Sequence, residues 1–130
     1  MKSRDTLPEM LLQRALSELE ISFELQAKEL PGTPDISIPS RKIAIYVHGC
    51  YWHRHEECVG ISFPSARSME WAEKFNQIVK RDRRTEIEIS KIGWVYNVAW
   101  ECAVLASPLD EAMKIQKLMW RIDAKGNIST

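Results

Sequence analysis

The first part of the chain has hydrophobic residues at helical spacing. They recur at steps of three and four residues, which predicts an amphipathic helix over about 7–20. Thr6-Leu7-Pro8-Glu9 has the form of a capping box with proline in the first turn, so the helix is expected to begin there. The apolar positions that define it are Leu12, Ala15, Leu16 and Leu19.

The pattern then changes from a helical to a strand period. Residues 21–25 and 35–38 alternate between apolar and polar side chains, which predicts two half-buried strands. Residues 42–47 form an apolar, β-branched run, which predicts a buried strand. Turns are expected at Pro31-Gly32-Thr33-Pro34 and at Pro39-Ser40, because proline and glycine interrupt regular structure.

The second half predicts two helices with a strand between them. Apolar residues at helical spacing indicate a long helix over 68–92, which Gly93 ends. Residues 94–100 predict a strand, and a helix from Pro108 to about Trp120 precedes a polar tail. The predicted order α-β-β-β-α-β-α indicates an α/β (α+β) fold, with a mixed sheet flanked by helices.

Composition narrows the class of protein. The chain has 130 residues, which suits one domain with one core, and it is 45% hydrophobic and 28% charged. Its formal net charge is zero, so an argument for nucleic-acid binding has to rest on local clusters of charge. Neither an apolar run of about twenty residues nor a secretion signal is found, and we therefore expect a cytoplasmic protein with no membrane partner.

Residues 48–58 carry three histidines, two cysteines and two large aromatic residues, a density typical of metal binding or acid–base chemistry. Three of these side chains, together with a cysteine after the last strand, supply a tetrahedral set for structural zinc. His53 fits the spacing as well as His55, and buried thiols that only fill the core are the alternative. The candidate zinc ligands are therefore Cys50, either His53 or His55, Cys58 and Cys102.

A carboxylate and two histidines form a second candidate site. Asp35 begins one predicted strand and His48 follows the next, so pairing of these strands would bring both ends together. Asp35 would then offer oxygen to magnesium, leaving His48 and His53 for proton transfer or for stabilising a phosphate. Taken alone, Asp35 is also typical of a residue that caps a turn after proline.

Two further segments carry candidate DNA contacts. Asp82 lies within a basic run of the long helix and is suited to holding a histidine in one tautomer. The arginines of that run, Arg81, Arg83 and Arg84, are candidates for phosphate contacts, although such a run is often only a solvated helix face. The pair Tyr51-Trp52 either caps the core or stacks against bases.

Several motifs taken together resemble the very short patch repair (Vsr) endonuclease family, over roughly Thr6 to Ala103. The resemblance implies a restriction-endonuclease-like three-layer core and one domain over 1–130, with the core at about 6–103 and a C-terminal helix and tail over 104–130. The motifs that carry it are Leu30-Pro31-Gly32-Thr33-Pro34-Asp35, Val47-His48-Gly49-Cys50-Tyr51-Trp52-His53, Trp71-Ala72-Glu73-Lys74, Val79-Lys80-Arg81-Asp82-Arg83-Arg84 and Gly93-Trp94 through Trp100-Glu101-Cys102.

The resemblance implies nicking of one strand of double-stranded DNA beside a thymine–guanine mismatch. It implies a monomer that works with mismatch-repair partners on nucleoid DNA.

It also assigns roles to residues. Asp35 and the backbone carbonyl of Val47 would bind magnesium. His48 would stabilise the cleaved phosphate, His53 would be the acid–base group oriented by Asp82, and Glu9 would hold a water on the metal. The structural zinc ligands would be Cys50, His55, Cys58 and Cys102, and the intercalating pair Tyr51 and Trp52.

The chain departs from the family pattern in three places. Val47 replaces a common threonine, an extra glutamate precedes Cys58, and only Met1 to Asp5 stand for the amino-terminal arm. A short arm predicts weaker mismatch specificity. Two alternative functions are therefore kept: a restriction or mobile-element nuclease that ignores mismatches, and a non-catalytic, zinc-stabilised DNA-binding module.

Overall fold

The fold comes from a computed structural model that describes residues 6–50 and 69–128, with side chains over 6–50 and 72–125. The predicted helices and strands are found in the predicted order, and a short helix, α3, is added. The elements are α1 (Leu7–Glu18), β1 (Glu24–Leu25), β2 (Ile36–Ile38), β3 (Ile43–His48), α2 (Met69–Lys91), β4 (Val95–Trp100), α3 (Glu101–Ala106) and α4 (Pro108–Ile128).

The four described strands form one mixed sheet in the order β1-β2-β3-β4. β2 pairs antiparallel with both β1 and β3, whereas β3 and β4 are parallel. Parallel neighbours need a long connection, and the one between β3 and β4 contains α2. Because β3 and β4 run in the same direction, their last residues, His48 and Trp100, are register partners at one edge of the sheet.

One face of the sheet packs against α1, α3 and α4. Successive residues of a strand point to opposite faces, and Ile43, Ile45 and Val47 of β3 belong to the core on this side. The hydrophobic cluster on this side is aliphatic throughout. Its buried members are Leu12, Ala15, Leu16, Ile21, Ile36, Ile38, Ile43, Ile45, Val47, Ala99, Val104, Ala112 and Ile115.

The other face of the sheet packs against α2. Ala44 and Tyr46, the alternate residues of β3, form a smaller cluster there with Ile89 of α2. The remaining buried members are Ala27 and Leu30 from the connection between β1 and β2, and half-buried Trp94 and Tyr96 pack against them. Helices therefore cover both faces, and the described residues form three layers.

The beginning of α1 differs from the predicted capping box. Thr6 has the extended backbone of an N-cap residue, but its side chain makes no capping hydrogen bond. Glu9, the other expected member of the box, has only 1% of its surface exposed. β1 is also shorter than predicted, since only Glu24 and Leu25 pair with β2.

The C-terminal part is more helical than predicted. The residues after Trp120 continue α4 to Ile128 and do not form a tail. Packing explains this, because Ile122 lies against the main core and Asp123 accepts two hydrogen bonds from the Arg41 guanidinium, at 2.8 and 2.9 Å. This ion pair lowers the pKa of Asp123 and raises that of Arg41. α3 was not predicted, and Val104 fixes it to the same core.

Within the described part of the chain, no helix combines the length and apolar character needed to cross a membrane.

Candidate active site

Asp35 is fixed at the beginning of β2. Its carboxylate Oδ2 accepts a hydrogen bond from the backbone N–H of Val47 at 2.8 Å, and only 5% of the residue is exposed. This bond joins the start of β2 to the end of β3, so the two strand ends that the sequence predicted to be neighbours do meet. A charge-assisted bond of this kind holds the carboxylate in one orientation.

The turn before Asp35 has an unusual backbone. Gly32 and Thr33 both have positive φ angles, 71° and 47°, and Thr33 N–H donates to the carbonyl of Leu30 at 3.1 Å. Glycine adopts this region readily, whereas threonine does so at a cost. Tertiary contacts must therefore hold the turn in place.

His48 ends β3 on the face that packs against α2. It is 7% exposed, and its ring meets that of Trp100 edge to face, with centroids 5.3 Å apart. The Nε2 atom lies 3.9 Å from Oδ1 of Asp82. This separation is too long for a hydrogen bond between these two atoms.

Asp82 lies on the side of α2 that faces the sheet. Phe75, Thr85 and Ile89 are buried on the same side, at steps that match the helical period. The basic residues around Asp82 are all exposed: Lys80, Arg81, Arg83 and Arg84. The helix thus separates one acidic group turned towards His48 from a basic surface turned away from it.

Two tyrosines lie beneath the site and were not singled out from the sequence. The hydroxyl of Tyr46 donates to the carbonyl of Pro31 at 2.6 Å, and its ring packs against Tyr96 with centroids 5.0 Å apart. Burial raises the pKa of both phenols, with a further contribution from the charge of Asp35 at Tyr46 and of Asp82 at Tyr96. The sequence signal that could have identified Tyr46 is its position as a tyrosine within an otherwise aliphatic strand.

The two described cysteines are neighbours although they are far apart in the chain. Backbone N–H of Cys102 donates to Sγ of Cys50 at 3.4 Å, and the two thiols are not joined in a disulfide. Glu101, which sequence reasoning also left aside, accepts from the backbone N–H of Cys50 at 3.4 Å. α3 begins directly after β4, and this places Cys102 beside the end of β3.

Five of the predicted site residues lie outside the described part of the chain: Tyr51, Trp52, His53, His55 and Cys58. Over 6–50 and 69–128, no group of three or more histidine, cysteine or acidic side chains is arranged to hold a metal ion. The predicted zinc set is therefore represented by the Cys50–Cys102 pair alone.

The donor atoms separate into two chemical types. Asp35 and Glu9 offer buried carboxylate oxygens, the kind of ligand that magnesium prefers. Cys50 and Cys102 offer sulfur, which suits zinc. Both donor types thus fit the metals expected from the sequence.

The sequence is similar to those of several known DNA endonucleases. The sequence model of the DNA mismatch endonuclease Vsr matches residues 1–59. A type II nicking enzyme, V.XorIIP of Xanthomonas oryzae pv. oryzae, is 39% identical over 78% of this chain and 74% of its own length.

Two further relatives show the same relationship. The DNA mismatch endonuclease Vsr of Escherichia coli is 36% identical over 78% of this chain and 65% of its own length. The type II nicking enzyme V.NmeAIP of Neisseria meningitidis is 33% identical over 77% of this chain and 71% of its own length. The chain belongs to the Vsr family of DNA endonucleases.

Proposed function

We propose that this protein is a magnesium-dependent endonuclease that nicks one strand of double-stranded DNA next to a thymine–guanine mismatch. The observation that carries the proposal is the hydrogen bond from Val47 N–H to Asp35, which fixes a buried carboxylate near the end of β3, where His48 lies. Membership of the Vsr family supports DNA as the substrate. We propose that the enzyme acts as a monomer on nucleoid DNA, with mismatch-repair proteins as partners.

Asp35 and the backbone carbonyl of Val47 would hold the magnesium ion, and Glu9 would hold a water beside it. When bound, the ion would polarise the phosphate and offset negative charge that develops on the leaving oxygen. Val47 would serve this site through two backbone groups. Its carbonyl would bind the ion, and its N–H donates to Asp35 and orients that carboxylate. The aliphatic side chain of Val47 packs into the main core, which fixes the backbone there.

The histidines would carry the proton transfers. His48 would stabilise the phosphate as it is cleaved, and Oδ1 of Asp82 lies 3.9 Å from its Nε2 atom. His53 would act as the acid–base group and would take its orientation from Asp82. One carboxylate would then influence both imidazoles, so Asp82→Asn should change the pH dependence of nicking.

A structural zinc ion is proposed at Cys50, His55, Cys58 and Cys102. The support is the meeting of Cys50 and Cys102 across 52 positions of sequence. Because the energy of metal binding is part of the folding energy at such a site, a strong chelator should lower the melting temperature. An unchanged melting temperature in a protein whose metal the chelator has removed would contradict the zinc assignment.

DNA would be held by local charge, since the net charge of the chain is zero. Arg81, Arg83 and Arg84 are exposed on α2 and would contact phosphates, whereas Tyr51 and Trp52 would stack next to the mismatch. Each phosphate contact contributes to the salt dependence of binding. Replacing one of these arginines by alanine should therefore lower the slope of the logarithm of the binding constant against the logarithm of salt concentration by about one.

The test uses DNA duplexes with one labelled strand, either with a thymine–guanine mismatch or with a matched pair in the same sequence. Nicking of the mismatched duplex should require magnesium. Asp35→Asn should reduce its rate on the order of 10²-fold or more, because the replacement removes the charge that holds the ion. Asp110→Asn, which changes an exposed aspartate of α4, should leave the rate unchanged.

The other outcomes are decisive as well. Equal nicking of both duplexes would favour a nuclease without mismatch specificity. This is the second candidate, because relatives such as V.XorIIP and V.NmeAIP are named as nicking enzymes without mention of a mismatch. Binding without cleavage by a folded, metal-loaded protein would overturn the proposal in favour of a non-catalytic DNA-binding module.

A further inference from the structure

We infer that Tyr46 is a positioning residue for Asp35: its hydroxyl holds the turn over 31–34 in the conformation that presents the carboxylate. This inference rests on the proposed function, because it assigns the turn a task in magnesium binding. Tyr46 lies next to Val47 in β3, so two consecutive residues hold the segment over 31–35. Tyr46 binds its beginning through Pro31, and Val47 binds its end through Asp35.

The two bonds differ in kind and act together. Tyr46 donates from its side chain to the Pro31 carbonyl at 2.6 Å, whereas Val47 donates from its backbone to the carboxylate at 2.8 Å. Only the second bond touches the proposed metal ligand. The first bond fixes the approach of the chain to that ligand, and a hydroxyl-free ring at position 46 would leave the approach held by fewer contacts.

The turn has a reason to need such a contact. Gly32 and Thr33 both adopt positive φ angles, and for a β-branched residue such as Thr33 this conformation is costly. The strained backbone persists only where its surroundings fix it. Tyr46 supplies part of those surroundings, since its Cε2 atom lies 3.3 Å from the position of a Cβ built on Gly32.

The position of Tyr46 is itself well defined. Its ring packs against Tyr96 of β4, and the residue is 5% exposed. Thr85 of α2 also closes against Gly32, with Cγ2 at 2.8 Å from the same constructed Cβ. The turn is therefore enclosed between the sheet and α2, and the Tyr46 hydroxyl is a polar anchor within that enclosure.

The test compares Tyr46→Phe with Tyr96→Phe, a matched control that removes the same hydroxyl from the neighbouring ring. Two quantities are measured: the magnesium concentration for half-maximal nicking, and amide hydrogen exchange at Thr33, Ile45 and Val47 in protein without metal or DNA. For Tyr46→Phe we expect the magnesium requirement to rise about three- to tenfold, the range that the loss of one hydrogen bond gives. The rate at saturating magnesium should stay within about twofold of wild type, because the reacting groups are unchanged.

Exchange at Thr33 and Val47 should become several-fold faster in Tyr46→Phe, whereas exchange at Ile45 in the middle of the same strand should not change. Tyr96→Phe should alter neither quantity. Unchanged exchange at Val47 together with an unchanged magnesium requirement would overturn the inference. Uniformly faster exchange along β3 would also overturn it, because it would show a general loss of stability.

If wild-type protein fails to nick any duplex, the proposed function is wrong, and the exchange data still decide whether Tyr46 positions Asp35.

Discussion

The two faces of the sheet are built from the same strands and differ in almost every other respect. On the side of α1, α3 and α4, the strands contribute only aliphatic side chains to the core, those of Ile36, Ile38, Ile43, Ile45, Val47 and Ala99. On the side of α2, the sheet carries Asp35, Ser37, Tyr46 and His48, all of them buried and all with polar atoms. The first face contributes mainly to stability. The second face also buries polar side chains, among them the proposed catalytic residues Asp35 and His48.

This division follows from the alternation of side chains along a strand. Ile43, Ile45 and Val47 turn one way, while Tyr46 and His48 turn the other. Buried polar groups give up their hydration and gain little net free energy even when they are hydrogen-bonded, so a face that holds several of them contributes less to stability. The comparison predicts that substitutions on the first face lower stability, whereas those on the second mainly alter activity.

The largest effect on stability is expected from Ile45→Ala on the apolar face. Ile45 is fully buried, and such a replacement leaves a cavity that typically costs about 2–5 kcal/mol. The nicking rate per folded molecule should remain within about twofold of wild type. Urea unfolding and a nicking assay on the folded fraction check both expectations.

Ile87→Ala is the matched control, because Ile87 of α2 is 51% exposed. Its unfolding free energy should change by no more than about 0.5 kcal/mol. A loss of activity in folded Ile45→Ala as severe as in Asp35→Asn would remove the distinction between the faces.

The second effect concerns the turn on the α2 face. Gly32→Ala should cost about 1–3 kcal/mol, because alanine is strained at a φ of 71° and its Cβ would lie 2.8 Å from Thr85 Cγ2. It should also slow nicking, since the turn leads into Asp35. Thermal melting and nicking rates measure the two losses.

Thr85→Ala in the same molecule should restore part of the stability, because it removes the atoms that a new Cβ would meet. The coupling between the two substitutions can be read from a double-mutant cycle. Strict additivity would show that backbone strain alone accounts for the loss.

A smaller effect is expected at alkaline pH. Burial, and then the negative charges of Asp82 and Glu86, raise the pKa of Tyr96 above its usual value of 10.0. The folded state therefore favours the neutral phenol, and its contribution to stability is complete below that value and is lost as the pH rises through the folded pKa. Melting temperatures between about pH 8 and pH 11 should fall less steeply in Tyr96→Phe than in wild type.

If the melting temperatures of wild type and Tyr96→Phe fall equally over this range, ionisation of Tyr96 does not contribute to the loss of stability at alkaline pH.

The smallest effect is expected at Ser37. It is 1% exposed, and its hydroxyl has no hydrogen-bond partner within the described residues. Removing a buried hydroxyl without a partner is close to neutral or stabilising, so Ser37→Ala should raise the unfolding free energy by up to about 1 kcal/mol. Chemical denaturation would measure it, and a loss of more than about 1 kcal/mol would point to an unseen partner.

Local patterns were sufficient to predict most of the fold. Alternation and helical spacing gave the order of the long elements, since each of them buries one continuous side. They failed where burial depends on distant partners. α4 continues past Trp120 because Arg41 binds Asp123, and no local pattern announces a contact across 82 positions. α3 was missed because six residues are too few to show a period.

The candidate site was predictable to the extent that strand ends reveal it. Asp35 and His48 stand out because each is a polar residue beside an apolar strand, and pairing of the strands places them together. Tyr46 did not stand out, since a tyrosine within a strand is usually a core residue, and its hydrogen bond depends on a turn 15 positions away. The position of Asp82 near His48 likewise required the packing of α2 on the sheet.

The alternation in β3 also sets how this enzyme can evolve. Substitution can refine either face independently, but the insertion or deletion of one residue between Ile43 and Val47 would exchange the roles of all the positions beyond it. Tyr46 and His48 would then point into the aliphatic core, and the aliphatic residues would point towards α2. Length variation in descendants of this chain should therefore avoid these five positions and collect in the connections around the sheet.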